Sequence, residues 1–297
     1  MTERKTTRID MHVHTRGSDG WGSPDDIAEN ALEAGLDGLV ITDHHLTYTK
    51  EGLEVARACR EAGLLVFHGC EYSAAEGHVL VYGVPVEELR LGRYVDMQKV
   101  IDLVVEFGGV AVPAHPYFGY RVKLGDGVHK LRRVRAVEVA NGQRAVKDPW
   151  ANRQALRAAN LGSKMGTGGS DAHDPAYVGV CYTEFRGVVR NHFELTKALK
   201  RGSFRAVTQH ARVRKILEST LSFWKSKADL FSSLRPLEGL EGLTKVREEA
   251  DRCWTEREMK IELDRVIERN RRVRALDTSP LPGHFVEDDE RGGNNIN

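Results

Sequence analysis

The stretch Ile9-Asp10-Met11-His12-Val13-His14 predicts a first β-strand that ends in two histidines separated by one residue. Side chains along a strand alternate between its two faces, so His12 and His14 point the same way and Val13 points oppositely. Two imidazoles on one face at a strand end are able to hold one metal ion. A His-x-His pair alone is common, so a metal site requires further ligands at other strand ends.

Strand-like and helix-like segments alternate from this stretch to about residue 208. This alternation predicts an α/β protein with a mostly parallel sheet and crossover helices, and its length favours a closed or distorted barrel over a small open sheet. The predicted strands are 9–13, 39–42, 64–67, 77–82, 110–112, 134–139, 164–168 and 204–208. The predicted helices are 23–35, 50–62, 95–107, 150–159 and 191–200.

Ionisable side chains collect at the ends of these predicted strands, where parallel barrels place their chemistry. Mixed imidazole and carboxylate ligation suits Mn²⁺, Zn²⁺ or Fe²⁺, and the absence of cysteine from the set favours a catalytic site over a structural zinc site. The set is too large for one ion, so it predicts two or three. Its members are His12, His14, Asp19, His44, Glu71, His78, His115, Asp171 and His173.

These motifs, in this order, resemble those of the polymerase and histidinol phosphatase (PHP) family. The resemblance covers about residues 8 to 208, and every ligand position of the family has a counterpart. The matching segments are His12-Val13-His14 with Ser18-Asp19-Gly20, Ile41-Thr42-Asp43-His44, Glu71 with His78, Ala114-His115-Pro116, and Gly169-Ser170-Asp171-Ala172-His173.

The resemblance implies a distorted (βα)7 TIM-like barrel and a two- or three-metal centre in which a metal-activated hydroxide hydrolyses phosphoester bonds. Glu71 would bridge the first and second metals. The ligand sets that it implies are His12, His14, Glu71 and Asp171 for the first metal; Glu71, His78 and His115 for the second; and Asp19, His44 and His173 for the third.

A phosphorylated substrate also needs positive charge outside the metals, and arginine suits two phosphoryl oxygens. Their positions in the sequence make Arg16 and Arg121 candidates for this role. The alternative is that both are exposed surface residues. Tyr117 is a candidate to stack on a substrate ring or to pack against the barrel rim.

Two residues of the motifs have open roles. His45 stands where many relatives have Asp or Asn; it is a candidate to contact substrate or protonate the leaving group, and otherwise an exposed or structural residue. Asp10 shares a face with His12, so it either orients that imidazole or makes a buried hydrogen bond unrelated to metal.

Three functions remain open at this point. The first is a phosphatase acting on a small phosphorylated metabolite: a nucleotide, a nucleoside 3′,5′-bisphosphate, or a sugar or amino-alcohol phosphate. The second is a 5′–3′ exonuclease on short oligonucleotides, and the third is a non-catalytic, metal-stabilised binding or regulatory module. The net charge of +1 gives no general attraction to nucleic acid and favours the first.

The chain is expected to divide into a phosphoesterase barrel at 1–210, a helical extension at 211–279 and a disordered tail at 280–297. No apolar run approaches the roughly 20 residues of a membrane helix, and no partner in a membrane is expected. The polar N-terminus and four scattered cysteines predict a cytoplasmic protein.

Overall fold

The computed structural model describes residues 6–92, 94–118 and 124–233. Its strands are β1 (Thr6–Val13), β2 (Gly38–Ile41), β3 (Leu65–Ala74), β4 (Gly77–Tyr82), β5 (Val110–Pro113), β6 (Ala136–Asn141), β7 (Met165–Gly169), β8 (Cys181–Arg186) and β9 (Phe204–Thr208). Its α-helices are α1 (Pro24–Glu33), α2 (Lys50–Glu61), α3 (Met97–Glu106), α4 (Gly142–Lys147), α5 (Pro149–Leu161), α6 (His192–Arg201) and α7 (His210–Ser233). Three 3₁₀ helices cover Val86–Leu89, Gly125–Lys130 and Pro175–Tyr177.

Seven of these strands form one mixed sheet in the order β5-β4-β3-β2-β1-β8-β9, and β6 pairs with β7 in a second sheet. The neighbours β1–β2, β2–β3 and β6–β7 are parallel. The pairs β3–β4, β4–β5, β1–β8 and β8–β9 are antiparallel. The α/β class is therefore confirmed, whereas the expectation of a mostly parallel sheet is wrong.

The seven-stranded sheet curls into a half-barrel, and the β6–β7 pair lies across its opening. β6 packs against β5 at one edge of the sheet, and β7 packs against β9 at the other edge and against β1. Close packing here depends on small residues: a Cβ on Gly168 would lie 2.4 Å from the Tyr182 carbonyl oxygen. A regular sevenfold βα repeat is not what closes this fold.

Among the strands and α-helices, β8 and α4 lie where the sequence predicted none, and β3 is much longer than predicted. β3 was expected to end at residue 67, but it continues to Ala74 because its second half forms an antiparallel hairpin with β4. Glu71 consequently lies inside a strand, beyond the end of the shorter neighbour β2, and pairs there with His44. Because β4 runs antiparallel, His78 lies near the amino end of its strand.

Along one edge, the first half of β1 is hydrogen-bonded to β8, and its end is hydrogen-bonded to the segment that follows β7. This second pairing brings the segment after β7 next to His12 and His14. Residues Thr6 to Ile9 pair with β8. Farther along, the Asp171 N–H donates to the His12 carbonyl at 2.7 Å, and the His14 N–H donates to the Ala172 carbonyl at 3.0 Å. Main-chain bonds thus fix Asp171 beside the histidine pair.

The helices cover the sheet with apolar faces. α1 begins with a capping box in which Ser23 and Asp26 satisfy each other's backbone N–H groups. α7 packs Val213, Ile216 and Leu217 against the end of β6, α4 and the start of β8. The predicted extension and tail beyond residue 233 lie outside the described residues, so the domain boundaries stay a prediction. Within the described part of the chain, no helix is long and apolar enough to cross a membrane.

Asp10 is fully buried and ties three segments of backbone together. One of its oxygens, Oδ1, accepts the N–H groups of His12 at 3.2 Å and Ser170 at 2.8 Å, and Oδ2 accepts that of Gly179 at 2.8 Å. Of the two roles expected for Asp10, the structure shows the buried hydrogen bonds. All three go to backbone N–H groups and none to an imidazole ring, so Asp10 holds the backbone that carries the ligands.

Asp10→Ala is expected to lower the free energy of unfolding by about 3 kcal/mol, because three buried N–H groups lose their acceptor. Urea denaturation at pH 8 measures this, since Asp10, whose pKa burial raises to about 6, is ionised there. The control is Asp37→Ala, which removes one exposed bond to the Arg8 N–H. Equal stabilities of the two variants would contradict the role given to Asp10.

Candidate metal centre

Nine side chains from five parts of the chain converge at one end of the half-barrel, and they fall into three overlapping groups of donor atoms. Within each group the atoms lie within 4.8 Å of one another. The groups are His12, His14, Glu71 and Asp171; Glu71, His78 and His115; and His14, Asp19, His44 and His173.

The first group is completely buried and has the spacing of a coordination shell. The two Nε2 atoms of His12 and His14 are 3.1 Å apart. They lie 3.3 and 3.1 Å from Glu71 Oε2, and 3.4 and 3.3 Å from Asp171 Oδ1. Four ligands at the corners of a tetrahedron, with bonds of about 2.0–2.1 Å, lie about 3.3 Å apart. These residues therefore fit a divalent ion.

Glu71 divides its two oxygens between the first and second groups. While Oε2 faces His12 and His14, Oε1 lies 2.8 Å from His78 Nδ1 and 2.9 Å from His115 Nε2. A carboxylate with one oxygen in each of two donor groups has the geometry of a bridging ligand.

The third group is the most exposed and centres on Asp19, whose side chain is 50% accessible. Asp19 Oδ2 lies 3.1 Å from His173 Nε2 and 3.5 Å from His44 Nε2. His14 joins this group through Nδ1, which is 3.5 Å from Asp19 Oδ1. The third group thus differs from the predicted ligand set by including His14.

Opposite charges stabilise one another across the centre despite burial. Burial disfavours a charged His14, but hydrogen bonds to Asp171 and Glu71 outweigh it and raise the pKa of His14 to about 9. Burial acts against the Glu71 carboxylate as well, yet His12 and His78 hold its pKa well below the usual range. The buried carboxylates need positive charge among them, and divalent ions supply it more strongly than protonated imidazoles.

The donor chemistry limits the kind of ion that fits. All nine residues offer imidazole nitrogen or carboxylate oxygen, and none offers sulfur. This combination suits Mn²⁺, Zn²⁺ and Fe²⁺, whereas Ca²⁺ prefers oxygen alone. His44 Nδ1 is buried, makes no hydrogen bond and lies 3.4 Å from Glu71 Oε2, so it too is directed at the space between the groups.

Glu138 supports the first two groups and was not predicted. Its Oε1 accepts from His12 Nδ1 at 2.9 Å, and its Oε2 accepts from the His115 backbone N–H at 2.9 Å and from Asn141 Nδ2 at 3.0 Å. Asn141 also donates to Asp171 Oδ2 at 3.2 Å. The signal in the sequence was an acid inside the apolar strand Val137-Glu138-Val139, which is costly to bury without such partners.

Asp43 organises the loop that carries Asp19. It accepts from the backbone N–H and hydroxyl of Thr15 at 2.7 and 2.6 Å, from the Ser18 hydroxyl at 2.8 Å and from the Thr49 hydroxyl at 2.6 Å. Because Asp43 is buried with all these partners, the loop between β1 and α1 is held in a defined conformation next to His14.

Three residues in the centre or beside it have positive φ angles: His45 at 61°, His115 at 23° and Asp171 at 54°. Each such conformation costs a non-glycine residue about 1–3 kcal/mol and persists where the surrounding structure enforces it. For His115 and Asp171 the enforcing contacts are the hydrogen bonds to Glu138 and the His12 carbonyl. The strain places both side chains within the donor groups.

The predicted substrate-binding residues are dispersed around the centre. Arg16 is exposed and donates from Nε to the Trp21 carbonyl at 3.1 Å. Tyr117 directs its hydroxyl to Asp126. His45 is half-buried, with its ring centroid 5.5 Å from that of Tyr72 and 6.1 Å from that of His44. Arg121 lies outside the described residues. The roles of these four stay predictions.

Two models of known protein families match this chain. The model of the PHP domain matches residues 10–130, and that of the PHP-associated segment matches residues 149–204, so together they span more than half of the chain. The chain belongs to the PHP family. All nine side chains of the centre lie within the two matches: seven fall in the first, and Asp171 and His173 fall in the second.

Relatives of this PHP chain include an uncharacterised protein of Methanocaldococcus jannaschii, 28% identical over 145 residues, which are 45% of this chain and 81% of the relative. Among solved structures, PsfC from Pseudomonas syringae superposes with a TM-score of 0.55 at 19% identity, over 73% of this chain and 98% of PsfC. A two-domain protein from Bacteroides vulgatus, described as containing a predicted PHP-like metal-dependent phosphoesterase, gives 0.51 at 21% identity, over 69% and 65%. Both likenesses concern the fold.

Glu71→Ala is expected to remove more bound metal than substitution of a residue that belongs to one group, because Glu71 belongs to both the first and the second group. After loading with Mn²⁺ and gel filtration, metal analysis should find two or three ions per wild-type chain and at most one in the variant. His78→Ala, which alters the second group alone, should lose one ion. A wild-type chain that retains no ion would refute the metal centre.

Glu138→Gln is expected to weaken metal binding about 10- to 100-fold, because an amide cannot accept from all three of its present donors. Competition with a chelator measures the affinity. Glu184→Gln serves as the control, since Glu184 is an acid paired with Arg205 on a strand that carries no ligand. Equal affinities in the two variants would show that Glu138 does not support the ligands.

Proposed function

We propose that this PHP protein is a metal-dependent phosphoesterase that hydrolyses a small phosphorylated metabolite. The observation that carries the proposal is the bridging position of Glu71 between donor groups that fit two adjacent cations. Paired cations supply a nucleophilic hydroxide from water near neutral pH and neutralise phosphoryl charge, which is the chemistry of many phosphoester hydrolases.

The residues of the chain contribute position and charge. The four buried residues of the first group would hold one cation, and Glu71 would also contribute an oxygen to a cation in the second group. The exposed Asp19 group faces the solvent, so we place the entry of the phosphoryl group there. His173 and His44 flank Asp19 and would face a substrate that enters there. Because the proposed nucleophile is a hydroxide derived from water, the reaction requires no serine or cysteine nucleophile from the described residues.

Two exposed aromatic side chains next to the centre favour a nucleotide or nucleoside 3′,5′-bisphosphate over a sugar or amino-alcohol phosphate. Trp21 is 61% exposed and its backbone N–H donates to the His173 carbonyl at 3.0 Å. Phe118 is 38% exposed and stands edge-on to His115, with ring centroids 5.4 Å apart. Exposed rings of this kind stack on nucleobases.

The same aromatic residues support the second candidate, a 5′–3′ exonuclease on short oligonucleotides, because stacking tolerates any base. The near-neutral charge of the chain gives little general attraction to a long phosphate backbone. We therefore rank the small substrate first and the oligonucleotide second.

The Mn²⁺-loaded protein should release inorganic phosphate from a nucleoside 3′,5′-bisphosphate and from a simple phosphomonoester faster than it cleaves a phosphodiester. Phosphate release is measured with each compound at equal concentration, and a labelled oligonucleotide is tested in parallel. Release of mononucleotides from the oligonucleotide alone would select the exonuclease.

The control is His14→Ala, prepared in the same way, which should lose turnover while circular dichroism shows a retained fold. Equal activity of the variant and the wild type would assign the turnover to a contaminant or another site. A wild-type protein that holds its metals and hydrolyses none of the compounds would favour the non-catalytic module.

A further inference from the structure

Hydrogen bonds join the first turn of the short helix α4 to the segment that carries Asp171 of the metal centre. Asn141, which caps it, donates to Asp171 Oδ2 at 3.2 Å and accepts the Arg144 N–H at 3.0 Å. The Gln143 N–H donates to the Ser170 carbonyl at 3.1 Å. Side chains that leave α4 on the side of Asp171 therefore have a fixed position relative to the ligands.

Arg144 extends from α4 to the loop that carries His115. Its guanidinium carbon lies 3.9 Å from the centroid of the Phe118 ring. Phe118 is in turn the ring that stands edge-on to His115 at 5.4 Å. A guanidinium carries its N–H groups as a fork in one plane, which is the arrangement that matches two oxygens of a phosphoryl group. Arg144 thus places a forked donor beside the second donor group.

Lys147 adds a second positive charge one turn farther along α4. Its ammonium lies 5.7 Å from the centroid of the Tyr177 ring. Burial and the charge of Arg144 lower the pKa of Lys147, while Asp171 and Asp174 oppose that effect. Two cations three residues apart on one helix are neighbours that repel each other, and an anion bound by both offsets the repulsion.

We propose that Arg144 and Lys147 bind the terminal phosphoryl group of the substrate and favour dianionic phosphomonoesters over phosphodiesters. The proposal rests on the proposed function and names a part of its binding site. Both residues lie between the two family matches, which end at residue 130 and resume at residue 149. They differ from Arg16 and Arg121, the arginines that the sequence indicated.

The test measures binding of inorganic phosphate to the Mn²⁺-loaded full chain by calorimetry, with KM and kcat for a phosphomonoester and a phosphodiester. Arg144→Ala should raise the phosphate Kd and the monoester KM by about 10- to 100-fold, the effect of losing a charge-assisted hydrogen-bond donor. The diester KM should change less. Lys147→Ala should act in the same direction, and metal content should stay at the wild-type level.

Arg57→Ala is the matched control, because Arg57 is an exposed arginine on α2 paired with Glu61, and its loss should leave every parameter unchanged. Arg144→Lys keeps the charge and removes the fork, so it should give an intermediate phosphate Kd. This variant also separates anion binding from folding if Arg144→Ala is unstable.

Phosphate affinities in Arg144→Ala, Arg144→Lys and Lys147→Ala equal to that of the wild type would overturn the assignment. A loss of monoester and diester affinity by the same factor would overturn the proposed selectivity. If the wild type hydrolyses no phosphoester and its phosphate binding still depends on Arg144, the phosphoesterase function fails and the phosphate site stands.

Discussion

The structure depends on one buried carboxylate, Glu71, that lies among imidazoles. Its oxygens are within 3.3 Å of four histidine nitrogens, and a carboxylate in such a place is stable only with positive charge around it. The buried histidines in turn depend on the negative charges of Glu71 and Asp171. Neither partner is stable alone in this interior, so the centre is a single electrostatic unit whose composition matches divalent ions.

The rest of the fold holds this unit in place through hydrogen bonds to backbone. Asp10 joins β1 to the segments after β7 and before β8, Asp43 holds the loop of Asp19, and Glu138 orients His12 while it fixes the strained backbone of His115. Three buried acids outside the donor groups thus act as acceptors for N–H groups. Their positions explain why the half-barrel needs no regular βα repeat to bring its ligands together.

The sequence allowed the donor residues to be predicted because they occur in short motifs near strand ends, where alternation alone places His12 and His14 on one face. The hydrogen bonds that hold these donor residues in place were not predictable in the same way. Glu138 is recognisable as an acid in an apolar strand, but its contact with His12 depends on how β6 lies across the half-barrel. Asp10 shares a face with His12, yet its hydrogen bonds go to Ser170 and Gly179, which are distant in sequence. The antiparallel strand β8 was missed for the same reason, since it is defined by its pairing with β1.

A crystal structure of the full chain grown with Mn²⁺, with anomalous differences recorded at the manganese edge, tests the central claim most directly. The account predicts two or three anomalous peaks, one between Glu71 Oε2 and the pair His12 and His14, and another between Glu71 Oε1 and the pair His78 and His115. A single peak, or peaks that do not contact Glu71, would contradict it.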